Sequence, residues 1–163
     1  MTAKPDTRLV IICDTREQIP FEFSPAVQVV GRTLIVGDYS ILGLEDLIVV
    51  ERKTLSDLLG SITNGRERFL KKLRQMRGYR FAALVIEAEW PAILEGRFPQ
   101  AVSVNSVIGS LMAFAIKYGV IPIMAKDHAT GAVLTERLLL NFARLIERDH
   151  RELEKGQNVL PKD

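Results

Sequence analysis

A chain of 163 residues, 47% hydrophobic and 26% charged, is long enough to bury one core and too short for several. Its single cysteine, Cys13, excludes an internal disulfide framework and fits a reducing compartment, and no uninterrupted apolar run reaches the length of a membrane span. A formal net charge of +2 neither demands nor forbids an anionic partner, because a global sum hides local asymmetry.

Residues 1–8 read as a polar leader without the apolar stretch of a secretory signal. A single folded domain is expected over 9–155 and a tail over 156–163, in a soluble cytoplasmic protein with no membrane contact. Leu9–Cys13 is a short apolar run of the kind a buried strand carries, with Asp14 at its C-terminal end. Gln18–Pro25 holds two prolines and predicts a loop. Val27–Val30 is either a short strand or part of a connection. Arg32–Ile41 and Asp46–Lys53 are β-rich and flank Leu42-Gly43-Leu44-Glu45, which predicts a hairpin. Leu55–Ile62 predicts a helix broken by Asn64-Gly65. Arg66–Arg77 predicts the next helix, with Phe69, Leu70, Leu73 and Met76 as its apolar stripe and Arg68, Lys71, Lys72 and Arg74 on the other side. Phe81–Ile86 is a second buried strand ending at Glu87. Glu89–Asn105 is an irregular connection with room for one short helical turn. Ser106–Tyr118 is a helix with apolar residues around most of its surface, Val120–Met124 a last strand whose Pro122 marks a sheet edge, and Ala132–Lys155 a long amphipathic helix. Strands alternating with helices predict an α/β domain with a mixed central sheet.

The chemistry sits in the hairpin. With the turn centred between Leu44 and Glu45, Asp38 falls opposite Glu51, and directly opposed residues share a face with Cβ atoms roughly 5 Å apart. Glu51 and Lys53 share that face because strand side chains alternate. A slip of one position would turn Asp38 away. Two carboxylates and an ammonium in one small volume suit a hard cation, Mg²⁺ or Mn²⁺, which prefers carboxylate, carbonyl and water oxygens. Asp38 and Glu51 are the expected ligands, the backbone carbonyl of Arg52 a third, and Lys53 faces the attacking water or a phosphate. Arg52 points to the opposite face and is either structural or a partner of Asp57. Asp14, Asp38, Glu51 and Glu87 all lie near strand ends or in the hairpin.

These residues resemble the signature of the XPF-type structure-specific DNA endonucleases: Gly37-Asp38, a spacer, Glu51-Arg52-Lys53, three residues, Asp57. Asp14-Thr15-Arg16-Glu17, Asn64-Gly65-Arg66 and Ile86-Glu87 match further pieces, and His128-Ala129-Thr130 does so more weakly, so the resemblance runs from about Leu9 to Phe142. It implies a restriction-endonuclease-like core and Mg²⁺-dependent cutting of branched, flapped or forked DNA in repair or recombination. It implies metal binding through Asp38 and Glu51, with Asp14 and Glu87 as outer or second-ion partners. It also implies essential roles for Arg16, Arg52, Lys53, Asp57 and Arg66. Relatives usually add a tandem helix-hairpin-helix module, for which these 163 residues leave no room. A small stand-alone form of the bacterial or phage type is therefore expected, with a separate DNA-binding protein as a candidate partner.

The run from Arg66 to Arg80 holds seven Arg or Lys and one Glu. It is either a solvated face or a grip on the DNA backbone through Arg66, Arg68, Lys71, Lys72 and Arg74. Cys13 reads as a core residue, His128 as a loop or helix-start residue, and Trp90 as a buried aromatic. The Ser106–Tyr118 helix is either fully buried or half of a dimer interface, and the resemblance favours a homodimer. The competing function is a non-catalytic DNA-binding or partner subunit on the same fold.

Overall fold

A computed structural model of the protein describes residues 9–98 and 102–157. The expected leader 1–8 and most of the expected tail lie outside the described residues. Six strands form one sheet: β1 (Val10–Asp14), β2 (Gln28–Arg32), β3 (Tyr39–Ile41), β4 (Ile48–Thr54), β5 (Phe81–Glu87) and β6 (Val120–Ala125), in the order β2-β1-β3-β4-β5-β6. The helices are α1 (Leu55–Ile62), α2 (Arg66–Met76), α3 (Trp90–Leu94), α4 (Val104–Tyr118) and α5 (His128–Gln157). This is the mixed, helix-flanked sheet of the restriction-endonuclease-like class.

The topology gathers distant residues at one rim. β3 runs antiparallel to both β1 and β4, while β4, β5 and β6 run parallel. Strands β1, β4, β5 and β6 therefore end at the same rim, and β3 begins there. Asp14 closes β1, Asp38 precedes β3, Glu51 is the middle residue of β4, and Glu87 closes β5.

Alternation along the central strands divides the side chains between two cores. Val49, Leu84 and Ile86 pack with Leu58 and Leu59 of α1, Phe69, Leu73 and Met76 of α2, and Val107, Leu111 and Phe114 of α4. Ile48, Val50, Ala83 and Val85 face the other way, onto Leu139 and Phe142 of α5. Glu51 and Lys53 continue the first series and Arg52 the second.

Local chemistry sets the helix starts. The Thr54 hydroxyl accepts the Asp57 N–H at 3.1 Å and donates to the Asp57 carboxylate at 2.8 Å, capping α1. Gly65 donates its N–H to the Gly60 carbonyl at 2.9 Å, and a Cβ there would stand 3.1 Å from that same oxygen. The Asn64-Gly65-Arg66 turn thus needs its glycine for α2 to fold back closely on α1. Ser103 caps α4 through the Ser106 N–H, so that helix begins at Val104 rather than Ser106. Asp127 accepts the Thr130 N–H at 2.8 Å, which begins α5 at His128 rather than Ala132. The proline-bearing β6 is an edge strand as expected.

One segment departs from expectation. Arg32–Ile41 is not a continuous strand: Arg32 closes β2, residues 33–38 leave the sheet, and Tyr39–Ile41 re-enter it against β1, with Tyr39 also paired to β4. β2 and β3 lie on opposite sides of β1, so the chain must cross over the end of β1 between them. Gly37, at φ +81°, takes the left-handed turn that ends this crossing. The hairpin register itself is as expected. Tyr39 pairs with Val50, which continues to Asp38 across from Glu51.

Candidate active site

Asp38 is fixed from three directions. Its N–H donates to the Val50 carbonyl at 2.9 Å, its carbonyl accepts the Asp14 N–H at 2.8 Å, and its Oδ2 accepts the Arg52 N–H at 2.7 Å. Burial and then the nearby Glu51 charge push its pKa up to about 7, against the opposing Arg52 hydrogen bond. Glu51 is 2% exposed. Lys72 Nζ donates to both its oxygens, at 2.7 and 2.8 Å, and Lys53 Nζ stands 3.8 Å from Oε1. Lys53 also lies over the Phe69 ring, 4.7 Å from its centroid, and burial lowers its pKa below the ordinary value. The sequence-derived trio of Asp38, Glu51 and Lys53 therefore does share one face.

Beside the trio opens a cavity of about 370 Å³ bordered by Asp14, Arg16, Glu17, Asp38, Lys72 and Gln75. Asp14 contributes little free charge to it. Its Oδ1 accepts the Arg16 N–H and Nε, and its Oδ2 accepts Arg16 Nη2 and the Leu34 N–H, all between 2.7 and 2.9 Å. Burial opposes its charge, yet these bonds hold its pKa down to about 2. With all four lone-pair directions used, Asp14 mounts Arg16. Arg16, whose side chain is 63% exposed, is presented at the mouth of the cavity.

Glu87 is engaged on the other face. It lies on the α5 face of the sheet, away from Asp38 and Glu51, and its Oε1 accepts Arg52 Nε at 2.6 Å and bonds His128 Nδ1 at 2.8 Å. Burial works against the Glu87 charge, but the bonds from Arg52 and His128 hold its pKa low. Arg52 points to the face opposite Glu51, as expected, but it pairs with Glu87 and with Glu17 (3.4 Å). Asp57 is occupied in capping α1 and is not its partner. The Arg52 guanidinium also sits 5.7 Å from the Phe21 ring centroid, and His128 packs on the same ring. Glu17, Phe21 and His128 were not singled out as site residues. Glu17, directly after the Arg16 of the Asp-Thr-Arg-Glu stretch, carries a sequence signal, and His128 a weaker one in His128-Ala129-Thr130.

Of the basic residues expected on one solvated face, Arg66, Arg68, Lys71 and Arg74 are exposed on α2, while Lys72 turns inward to Glu51. Trp90, expected buried, is 37% exposed. Cys13 is half-buried in β1, and burial followed by the charges of Glu17, Asp38 and Asp14 pushes its thiol up to about 11. Helix α4 buries Val107, Leu111 and Phe114 but leaves Met112 and Ile116 exposed, so its apolar surface is only partly covered.

Among the described residues no three His, Cys, Asp or Glu side chains converge as a metal cluster. The donors that do converge are the carboxylates of Asp38 and Glu51, with the Arg52 peptide between Glu51 and Lys53. Two carboxylates, a peptide carbonyl and open space for water suit a hard divalent cation that keeps part of its hydration. The upward push on Asp38 from Glu51 is a negative charge excess that such a cation would relieve.

Residues 6–138 match the family model described as ERCC4 domain. Two solved structures resemble the chain. One is an XPF from Aeropyrum pernix in complex with DNA, at 26% identity and a TM-score of 0.66, covering 84% of this chain and 66% of that one. The other is an XPF from Aeropyrum pernix, at 25% identity and a TM-score of 0.63, covering 94% and 66%. The chain thus spans just under two thirds of either structure. No curated protein matches it.

Proposed function

Because this chain belongs to the ERCC4 domain family, we propose that it is a divalent-metal-dependent DNA endonuclease that hydrolyses phosphodiester bonds in branched, flapped or forked DNA during repair or recombination. The observation that carries the reading is the convergence of Asp38 and Glu51, from neighbouring strands, beside Lys53 and a cavity with Arg16 at its mouth. The DNA-bound structure of its relative supports DNA as the ligand.

Mg²⁺ or Mn²⁺ held by Asp38, Glu51 and the Arg52 carbonyl would acidify water and neutralise phosphate charge. The remaining work falls to the chain. Arg16, clamped by Asp14, meets a phosphate oxygen with a guanidinium whose direction is already set. Lys53, its pKa lowered by burial, exchanges protons with the attacking water more readily than a solvated lysine. A water oxygen bonds to phosphorus, the bond from phosphorus to the 3′ oxygen breaks, and that oxygen gains a proton. The products are a 5′-phosphate and a 3′-hydroxyl. Arg66, Arg68, Lys71 and Arg74 hold the backbone through salt-sensitive phosphate contacts. Asp57 and Arg52 act through structure, the first by capping α1 and the second by anchoring the β4 end.

The exposed Met112 and Ile116 of α4 support a homodimer through the Ser106–Tyr118 surface. A separate DNA-binding protein remains the candidate source of further duplex grip. No helix among the described residues is long and apolar enough to cross a membrane.

The test is a cleavage panel of flap, fork, nick, hairpin and linear duplex with Mg²⁺, Mn²⁺ or chelator, run on the wild type and Asp38→Asn. Metal-dependent cutting of a branched substrate that D38N abolishes, with DNA binding kept, is expected. DNA binding without cutting in any metal would assign the chain to the non-catalytic alternative.

A further inference from the structure

The buried Glu51 carboxylate already has a cation. Lys72 Nζ spans both its oxygens at 2.7 and 2.8 Å, while Glu51 is 2% exposed. A carboxylate so buried is costly unless it is paired. Two ammonium groups stand near it, and they are held differently. Lys53 projects from the rigid strand β4, is 14% exposed, and is seated over the Phe69 ring 3.8 Å from Glu51. Lys72 reaches in from α2, its side chain is 37% exposed, and it borders the same cavity as Arg16 and Asp38. Lysine is a compact point charge on a flexible stem, with no fork geometry to lock it onto a carboxylate. It can leave Glu51 and remain in the cavity.

We infer that Lys72 is a built-in counter-cation of this site, which fills the position on Glu51 until a divalent ion displaces it and is then free to face a DNA phosphate. The inference rests on the metal-dependent reading above. Two consequences separate it from a merely structural ion pair. Lys72 competes with the divalent ion, so its removal tightens metal binding. It also stands in for that ion, so its removal destabilises the metal-free protein more than the metal-bound one. A structural pair that has nothing to do with the ion would cost both forms equally.

The experiment is Mn²⁺ titration of DNA-free protein, followed by electron paramagnetic resonance of free Mn²⁺, with melting curves at zero and saturating Mn²⁺. The proteins are the wild type, Lys72→Met, Lys72→Gln and Glu51→Gln. K72M should bind Mn²⁺ about tenfold tighter than the wild type, as expected of losing one competing charge. K72Q, which keeps an uncharged donor one bond shorter than lysine for Glu51, should fall between. The metal-free melting temperature of K72M should drop and its Mn²⁺-induced rise should exceed the wild type's. Unchanged or weaker Mn²⁺ binding in both Lys72 variants, with E51Q losing Mn²⁺, would overturn the inference alone. E51Q binding Mn²⁺ like the wild type, or no binding by any of the four proteins, would overturn the metal assignment as well.

Discussion

Arg52 Nε lies 2.6 Å from Glu87 Oε1, on the face of the sheet that Glu51 turns away from, yet the same residue's N–H holds the Asp38 carboxylate at 2.7 Å on the other side. The arginine therefore links the two faces through its own peptide. Its side chain is 10% exposed and braced by Glu87, Glu17 and Phe21.

That link makes Arg52 a positioning residue. Arg52→Ala leaves Glu87 and Glu17 without their shared cation and should cost about 3 kcal/mol, the scale for breaking a buried pair from one side. Urea unfolding measures it. Arg52→Lys cannot reproduce the planar fork that meets two carboxylates. It should retain more stability than R52A yet still lose cleavage, because the peptide beside Asp38 is no longer held from behind. An R52K enzyme with wild-type turnover would show that the outer face has no part in setting the site.

Gly37 is required by both conformation and space. It adopts φ +81°, and a Cβ there would run into Val49 Cγ2 and approach the Val50 carbonyl at 3.2 Å. Gly37→Ala should destabilise by about 2 kcal/mol or more, combining left-handed strain with overpacking. It should also weaken cleavage, since Asp38 is the next residue. Gly43→Ala is the control. It shares the positive φ (+84°) but meets no atom within 4 Å, so only the strain remains and the loss should be near 1 kcal/mol.

Asp14 predicts the acid limb of stability. Its pKa falls from an ordinary 3.8 to about 2 in the folded protein. A depressed carboxyl contributes stability that is complete above the unfolded value and disappears as pH falls through the folded one. The wild type should lose stability between about pH 4 and pH 2 more steeply than Asp14→Asn. Melting temperatures across that range check it, and parallel curves would refute it. D14N should also release Arg16 and raise the substrate KM.

Cys13 should be quiet. Burial and the carboxylates of Glu17, Asp38 and Asp14 move its thiol from 9.0 to about 11. At neutral pH the thiolate is the reactive form, so iodoacetamide should modify the native protein about a hundredfold more slowly than the urea-unfolded chain. Mass spectrometry of timed samples would show it, and equal rates would mean that β1 opens readily.

The parts of this site that were legible in the sequence are those set by short-range periodicity. Counting outward from Leu44 and Glu45 gives the Asp38–Glu51 pairing, and alternation along β4 gives Lys53 on the same face and Arg52 on the other. The partners of Arg52 were hidden because they depend on the parallel register that sets Thr54 beside Glu87 and on α5 bringing in His128. No local pattern reports either. The crossing from β2 to β3 looks like one strand in the sequence because β propensity cannot say that two consecutive segments flank a third. Lys72 was half legible. It lies three residues after Phe69 and four before Met76, both buried, so it borders the apolar stripe rather than the open side of α2. What it would meet there depended on how α2 packs against β4.

The reversed direction of β3 has a practical consequence for handling the protein. Asp14, Asp38, Glu51 and Glu87 collect towards the end of the sheet where β1, β4 and β5 finish, which leaves the turn over residues 42–47 at the far end, away from the candidate site. Gly43 stands there in open space. A dye, an affinity peptide or a surface tether spliced in after it would leave the candidate site facing bulk solution, so ligand binding could be followed on an immobilised protein.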